Sequence, residues 1–347
     1  MQKQSKATIN EVAERSGVSR QTVSRVLNNR PDVAEETRLR VLEIIQELDY
    51  RPSAIARSLS QKRTYNFGVL TAGLKFIGPS TTLSGITEKS EKLGYGLLLK
   101  ELSSFSANNI QPILDWFLAH QVDGIIWAAP QIGSNRDYLK PILGNVHVPI
   151  IFLTTEKRSD LSIVTIDNYH GARIATEHLL KQGCQHIGHI SGPLDWWEAS
   201  ERKRGWQEAL LDAGIKTNPA MAAEGNWSSR SGRAAIEQLF KTYPQMDAVF
   251  VGNDQMALSA FQFACEKKMR IPQDLAVVGF DGLPESEFYA PALTTISQNL
   301  NHLGSIAVEE LVKMVEGKNV DKEPIYLAIK PQLIIRESSS IMAEKEV

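Results

Sequence analysis

The chain has 347 residues, 42% of them hydrophobic and 22% charged, with a formal net charge of −2. That length is generous for one domain and comfortable for two or three, the composition is that of an ordinary globular protein, and the near-neutral balance excludes a global basic field. Cys184 and Cys265 lack metal-ligand spacing and read as buried reduced thiols, so no metal and no disulfide framework is expected. Lys3 and Lys6 are not followed by an apolar signal segment, and no apolar run is long enough to cross a bilayer. A cytoplasmic chain without a membrane partner is the expectation.

Thr8 and Glu11 have the T-x-x-E spacing of a capping box, which predicts a helix from Ile9 with Val12 and Ala13 facing inward and Gly17 ending it. Ser19 is a second N-cap, for a helix from Arg20 to Leu27 with Val23, Val26 and Leu27 as its apolar stripe. A short Gly-containing gap between two such helices is a helix-turn-helix pattern. A third helix is predicted over Ala34–Leu48, with Leu39, Leu42, Ile45 and Leu48 at three-residue spacing and Val41 and Ile44 widening the face. The second helix leaves Arg20, Gln21, Thr22, Ser24 and Arg25 outside. Arg can bond guanine through two donors and Gln can pair with the adenine edge, and both stand at the helix N-terminus, where this motif usually meets bases. Up to Arg30 the chain carries a local basic excess of four charges, although its overall charge is nearly balanced. The same pattern also fits a three-helix bundle with a solvated polar face.

Asp49–Arg63 reads as a linker. Pro52 suits the first turn of a short helix, and Ala54, Ile55, Ala56 and Leu59 make a small-residue face too short to hold a helix in water by itself. From Asn66 short apolar runs alternate with helical stretches. Strands are predicted at Phe67–Leu70, Gly96–Leu99, Gly124–Trp127, Ile150–Leu153 and Val164–Ile166, separated by helices at Thr82–Leu93, Ile110–His120 and Asp137–Leu143. The rhythm repeats with strands near His189–Ser191, Met221–Ala223, Ala248–Val251 and Ala276–Phe280, and helices at Gly171–Gln182, Glu201–Ala213, Ser229–Phe240 and Asp254–Lys267. Ser305–Val315 adds a helix and Ile325–Ile335 extended segments. This is an α/β chain with two doubly wound, mostly parallel units.

The run V-A-E-R-S-G-V-S-R-Q-T-V-S-R-V-L-N, followed by Y-R-P-S-A-I-A-R-S-L at hinge spacing, resembles the DNA-binding headpiece of the lactose-repressor (LacI/GalR-type) family. The similarity continues to about Arg336. It implies a helix-turn-helix headpiece over 1–50, a hinge helix and linker over 51–63, an effector-binding core of periplasmic-binding-protein type over 64–337, and a tail over 338–347. The core would comprise an N-subdomain of about 64–166 and 300–327 and a C-subdomain of about 167–297 and 328–337. The chain would cross between them near Ile166–Asn168, Ser297–Leu300 and Leu327–Lys330. The resemblance also implies DNA contacts from Thr8, Ser19, Arg20, Gln21, Thr22, Ser24, Arg25, Asn28 and Arg30, and from Ile55, Ala56 and Leu59 of the hinge. Leu59 matches the leucine that wedges between base pairs and kinks the duplex.

Further stretches resemble cleft motifs of the same family. G-P-L-D-W-W-E-A-S-E-R-K-R-G-W supplies Arg202, V-G-N-D-Q-M-A-L supplies Asn253, V-V-G-F-D-G supplies Asp281, and L-T-T-I-S-Q supplies Gln298. Arg donates only, carboxylate accepts only, and Asn and Gln do both, so this set can satisfy an array of hydroxyls. Trp227 could cover the apolar face of a sugar, and Phe76, Trp127, Ala128 and Thr154 fall where the family lines the rest of its pocket. Leu300 replaces an aromatic residue found in the galactoside-binding case and argues against a galactoside, while Trp196 and Trp197 point to a larger or glycosidic ligand. Read without the resemblance, Asp281 could cap a helix, Asn253 could be a turn and N-cap residue, and Arg202 could lie on a helix surface.

The expected function is therefore a sequence-specific DNA-binding transcriptional regulator, a repressor acting as a homodimer on a palindromic double-stranded operator and controlled by a small sugar or glycoside. The tail lacks leucine heptads, which favours a dimer. A solute-binding protein of the transport class would carry a signal segment and no headpiece. An enzyme would show a nucleotide loop or paired catalytic groups, and there is no P-loop, G-x-S-x-G or H-E-x-x-H. No cofactor is expected, and His186 and His189 read as structural.

Overall fold

The computed structural model describes residues 7–51, 63–102, 110–130, 132, 144, 146–317 and 323–341. The hinge residues Ile55, Ala56 and Leu59, the helix expected over Asp137–Leu143 and the end of the tail lie outside these. Two compact units are formed by residues 1–64 and 65–347.

Local capping starts the first unit. Thr8 accepts a hydrogen bond from the Glu11 backbone at 3.3 Å and opens α1 (Ile9–Ser16), which Gly17 closes in the left-handed conformation at φ 66°. Ser19 accepts from the Thr22 backbone at 3.1 Å and opens α2 (Arg20–Leu27). Both helices pack on α3 (Glu35–Glu47) through Val12, Ala13, Val23, Val26 and Val41. The inward face of α3 differs from the expected stripe. Leu39 and Leu42 are 59% and 45% exposed, whereas Val41 is fully buried with Ile44, Ile45 and Leu48 beside it. A strict three-residue repeat drifts off one face of a helix with 3.6 residues per turn, and Val41, Ile44, Ile45 and Leu48 follow the true period.

The second unit contains two six-stranded sheets. The first is built from β1 (Asn66–Ala72), β2 (Gly96–Leu102), β3 (Gly124–Ala128), β4 (Ile150–Phe152), β5 (Ser162–Ile166) and a late strand, β11 (Tyr326–Ile329). Its order is β11-β5-β4-β3-β1-β2, and every pair is parallel. The second sheet takes β6 (Ile187–Ser191), β7 (Ala222–Glu224), β8 (Ala248–Val251), β9 (Ala276–Asp281), β10 (Thr294–Ser297) and β12 (Gln332–Ile334). Its order is β12-β10-β9-β8-β6-β7, with β12 alone antiparallel. Central strands such as β5, β6 and β8 are buried along their whole length, as parallel strands covered on both faces must be.

Helices cover these faces: α4 (Ile77–Lys92) and α5 (Ile110–Ala119) in the first lobe, α6 (Asn168–Lys181), α7 (Trp197–Asp212), α8 (Ser229–Thr242) and α9 (Asp254–Glu266) in the second, and α10 (Leu300–Val315) back on the first. One side of the first sheet packs Leu70, Ile125, Trp127 and Phe152 against Leu114 and Phe117 of α5. The other packs Phe67, Val69, Ile126 and Val164 against Leu303, Val308 and Leu311 of α10. The chain passes between sheets after Ile166, between Ser297 and Leu300, and between Ile329 and Gln332. The third passage overlaps only the end of the expected Leu327–Lys330, because Leu327, Ala328 and Ile329 still pair with β5. Strand β10 was not visible in the sequence, since Thr-Thr-Ile-Ser holds one aliphatic residue. Cys184 is buried, but Cys265, near the end of α9, is exposed, contrary to the expectation for both thiols.

His189 illustrates how fully the second sheet is shut off from water. Its ring stacks between Trp206 and Phe250 at 5.3 and 4.9 Å, and Nδ1 donates to the Phe250 carbonyl at 2.9 Å. Burial drives its pKa down to about 3. A histidine neutral in the folded state and protonated near 6.5 when unfolded contributes stability that is present above pH 6.5 and lost as pH falls toward 3. Denaturant titrations at pH 7 and pH 5 should therefore show the wild type losing about 2 kcal/mol more than His189→Phe, which has no such titration.

Candidate functional sites

The two sheets face each other across a cleft at the carboxyl ends of their strands. Ala128 ends β3, Leu153 and Thr154 follow β4, Ile166 ends β5, Asn253 follows β8, Asp281 ends β9 and Gln298 follows β10. This is where open parallel sheets bind ligands. The space measures about 880 Å3 with its open mouth included.

Arg202, one and a half turns into α7, is the polar centre of the cleft. Its Nε donates to Asn168 Oδ1 at 2.8 Å and its Nη1 to the Gly252 carbonyl at 2.5 Å. Asp281 Oδ1 lies 3.7 Å from Nη1, and the guanidinium sits 3.7 Å from the centre of the Phe280 ring. Burial pushes the Arg202 pKa down, against Asp281, Glu198 and Asp254, which push it up. Gln298 donates to Asp281 at 2.6 Å, and burial lifts the Asp281 pKa to about 6 while Arg202 and Gln298 hold it back. Asp281 also has φ of 119°, rare for a residue with a side chain, so its position is imposed by its surroundings.

Asn253 does two things. Its Oδ1 caps α9 by accepting from the Met256 backbone at 2.9 Å, as the cap reading of the sequence allowed, and its Nδ2 donates to the Trp227 carbonyl at 3.1 Å. It therefore borders the cleft chiefly by fixing Trp227, itself at a positive φ of 71°. Trp227 comes so close to Gly192 that any Cβ there would overlap its ring. Phe76, Ala128 and Thr154 also border the cleft, as do Trp196 and Leu300. Phe76 from the first lobe meets Trp196 from the second edge-on at 6.4 Å, and Trp196 meets Trp227 at 5.9 Å.

Trp127 is a correction. It packs against Phe152 in the core, and its indole N–H donates to the Ala129 carbonyl at 3.1 Å, so it takes no part in the cleft wall. Adjacent residues of a strand point to opposite faces, so Ala128 and Trp127 could not both face the cleft. Sequence reading missed Asn168, Glu198 and Asp254. Asp254 lies behind Asp281 and accepts from Thr295 Oγ1 at 2.6 Å and the Leu283 backbone at 2.8 Å. Burial, and then Asp281, push its pKa up to about 8.

In the first unit, Arg20 and Gln21 are exposed at the start of α2. Ser19 and Thr22 are tied together at 3.0 Å by the cap, which fixes that helix end. Asn28 donates to the Ser24 carbonyl at 2.8 Å, and Arg25 faces Asp32 at 3.6 Å. Gln21, Ser24, Arg25, Asn28 and Arg30 border one shallow groove. Arg38, which the sequence did not single out, donates to Asn29 Oδ1 at 2.8 Å and to the Arg30 carbonyl, holding the turn that presents Arg30. Among the described residues no three His, Cys, Asp or Glu side chains gather as a metal site, and no helix is long and apolar enough to cross a membrane.

A family model described as bacterial regulatory proteins, lacI family, matches residues 8–53, and one described as a periplasmic binding protein-like domain matches residues 176–339. The chain is 33% identical to the HTH-type transcriptional repressor PurR of Pasteurella multocida (strain Pm70), over 96% of this chain and 98% of that one. It is 32% identical to the lactose operon repressor of Escherichia coli (strain K12), over 90% of this chain and 86% of that one. The solved lac repressor dimer bound to operator and the anti-inducer ONPF superposes with a TM-score of 0.85 at 31% identity, covering 96% of this chain and 99% of that one. The complex of the transcriptional regulator CelR with cellobiose gives 0.71 at 30% identity, with the same coverage.

Asn168 stands at the first passage between the sheets and positions Arg202, while its own Nδ2 donates to the Ile166 carbonyl at 3.1 Å. Asn168→Ala should cost about 1.5–3 kcal/mol of stability, because a buried charged donor loses its acceptor. Urea denaturation of the two proteins at one pH measures it.

Proposed function

The chain belongs to the lacI family of bacterial regulatory proteins, and from that premise we propose that this DNA-binding transcriptional repressor acts as a homodimer on a palindromic operator under the control of a sugar or glycoside bound in the cleft. Its relatives are repressors, and it is not an enzyme. The observation that carries the effector reading is the convergence of Arg202, Asp281, Gln298 and Asn253 beside Trp227 on one cleft. Donors, acceptors and an aromatic face suit a polyol with an apolar C–H side. The named complex of the relative CelR with cellobiose supports the same class.

In this reading α2 lies in the major groove. Arg20 and Gln21 read base edges, with Thr22, Ser24 and Arg25 along the groove. Thr8, Ser19, Asn28 and Arg30 hold the backbone, and Ile55, Ala56 and Leu59 meet the minor groove. The effector alters operator affinity only in so far as it binds two arrangements of the lobes unequally. Repression would take place in the cytoplasm.

Fluorescence anisotropy on an operator, with a panel of sugars and free nucleobases as competitors, tests the reading. A sugar should change operator affinity, and Arg202→Ala should weaken that sugar about tenfold or more, with circular dichroism checking that the variant is folded. Arg20→Ala should cost about 1–3 kcal/mol on the matched operator and relax selectivity at one base pair per half-site. An equal loss on every DNA would make Arg20 a phosphate contact, and a response to nucleobases alone would overturn the sugar reading.

A further inference from the structure

Three polar atoms in the residues that wall the cleft are closed off from solvent and have no hydrogen-bond partner in the chain: Thr154 Oγ1, Glu198 Oε2 and Trp227 Nε1. A buried polar atom left unpaired is costly, and where several border one cavity a ligand is the natural partner. Glu198 is the most telling. It lies in the first turn of α7, one turn before Arg202, and its Oε2 meets no donor of the chain. The Arg202 guanidinium does not bond it, being held by Asn168, Gly252 and Asp281. Among the described residues that border the cleft, Arg202 is the one cation, against the two carboxyls of Glu198 and Asp281. Burial raises the Glu198 pKa, which is the mark of a carboxyl short of partners.

We propose that Glu198 is a specificity-determining residue of the effector site, accepting a hydroxyl of an uncharged effector at Oε2 while Trp227 Nε1 donates to an oxygen of the same molecule and the carboxylate turns anionic ligands away. The proposal rests on the effector reading above. An acceptor-only carboxylate and a donor-only indole N–H select opposite ends of a hydrogen-bonding pattern, which a polyol supplies from one face. A sugar acid or sugar phosphate would bring a further negative charge into a buried space where Arg202, the one cation among the described lining residues, is already shared, and burying such a charge without a partner is prohibitive.

Calorimetric titration of the full-length protein decides it, with glucose, cellobiose, maltose and lactose as neutral probes and glucuronate and glucose 6-phosphate as anionic ones. A neutral sugar should bind at least about a hundredfold more tightly than either anion, and Glu198→Gln should weaken that sugar about tenfold and narrow the gap to the anions. Glu198→Asp keeps the charge but withdraws it by one methylene, so it should weaken the sugar while still rejecting anions. Operator binding without sugar serves as the folding control for both variants. An unchanged sugar affinity in Glu198→Gln, or an anion that binds the wild type as well as the sugar does, overturns the proposal and leaves the effector reading standing. If no neutral sugar binds the wild type, the effector reading falls and this one with it.

Discussion

A buried guanidinium is the constraint around which the second unit is arranged. Removing a cation from water is expensive, so Arg202 has to be met by acceptors on several sides. Asn168 meets it from the first passage between the sheets, Gly252 from the end of β8, and Asp281 from the end of β9, while Phe280 supplies a ring beneath it. Each partner lies on a different segment, so the charge is stable only when those segments are in register. Cleft polarity, lobe connection and the strained backbone of Asp281 are three expressions of one requirement.

That arrangement also gives a physical path between ligand and lobes. Asn168 bonds Arg202 with its oxygen and the Ile166 carbonyl with its nitrogen, so the cleft charge is tied directly to a strand end of the first sheet. Phe76 and Trp196, one from each lobe, touch at the same cleft. A ligand that changes what Arg202 or Trp196 touches changes contacts of both lobes together, and this is the form of differential contact that a two-state switch requires.

Much of this was legible in the sequence, for reasons that differ by element. Parallel strands buried on both faces leave continuous apolar runs, and caps at Thr8 and Ser19 announce helices, so the architecture could be read. Arg202, Asp281 and Gln298 sit in stretches similar to known family motifs. Asn168 and Asp254 could not be found that way, because their roles exist only through partners such as Arg202 and Thr295, remote in sequence. Glu198 becomes noticeable only once its oxygen is seen to lack a partner. Trp127 was misplaced because strand alternation decides between neighbours one residue apart, and the exact frame of β3 was not in the composition. Leu39 and Leu42 were misplaced for the helical equivalent of that reason.

The interleaved path of the chain has a consequence for how the protein is made. The first lobe is not complete when its first five strands have left the ribosome. Its edge strand β11 and its covering helix α10 are encoded after all of the second lobe's strands but β12. Until α10 arrives, the apolar face of Phe67, Val69 and Ile126 has no Leu303, Val308 or Leu311 to cover it. The fit, once made, is close: a Cβ on Gly85 of α4 would collide with the backbone of Asn301, and one on Gly304 of α10 with the backbone of Thr82. Nascent chains emerge N-terminus first, at a pace of about 5–20 residues per second, so this face waits about 7–30 s for its lid. The second lobe, continuous apart from β12, can form meanwhile, and the first must then be finished around it.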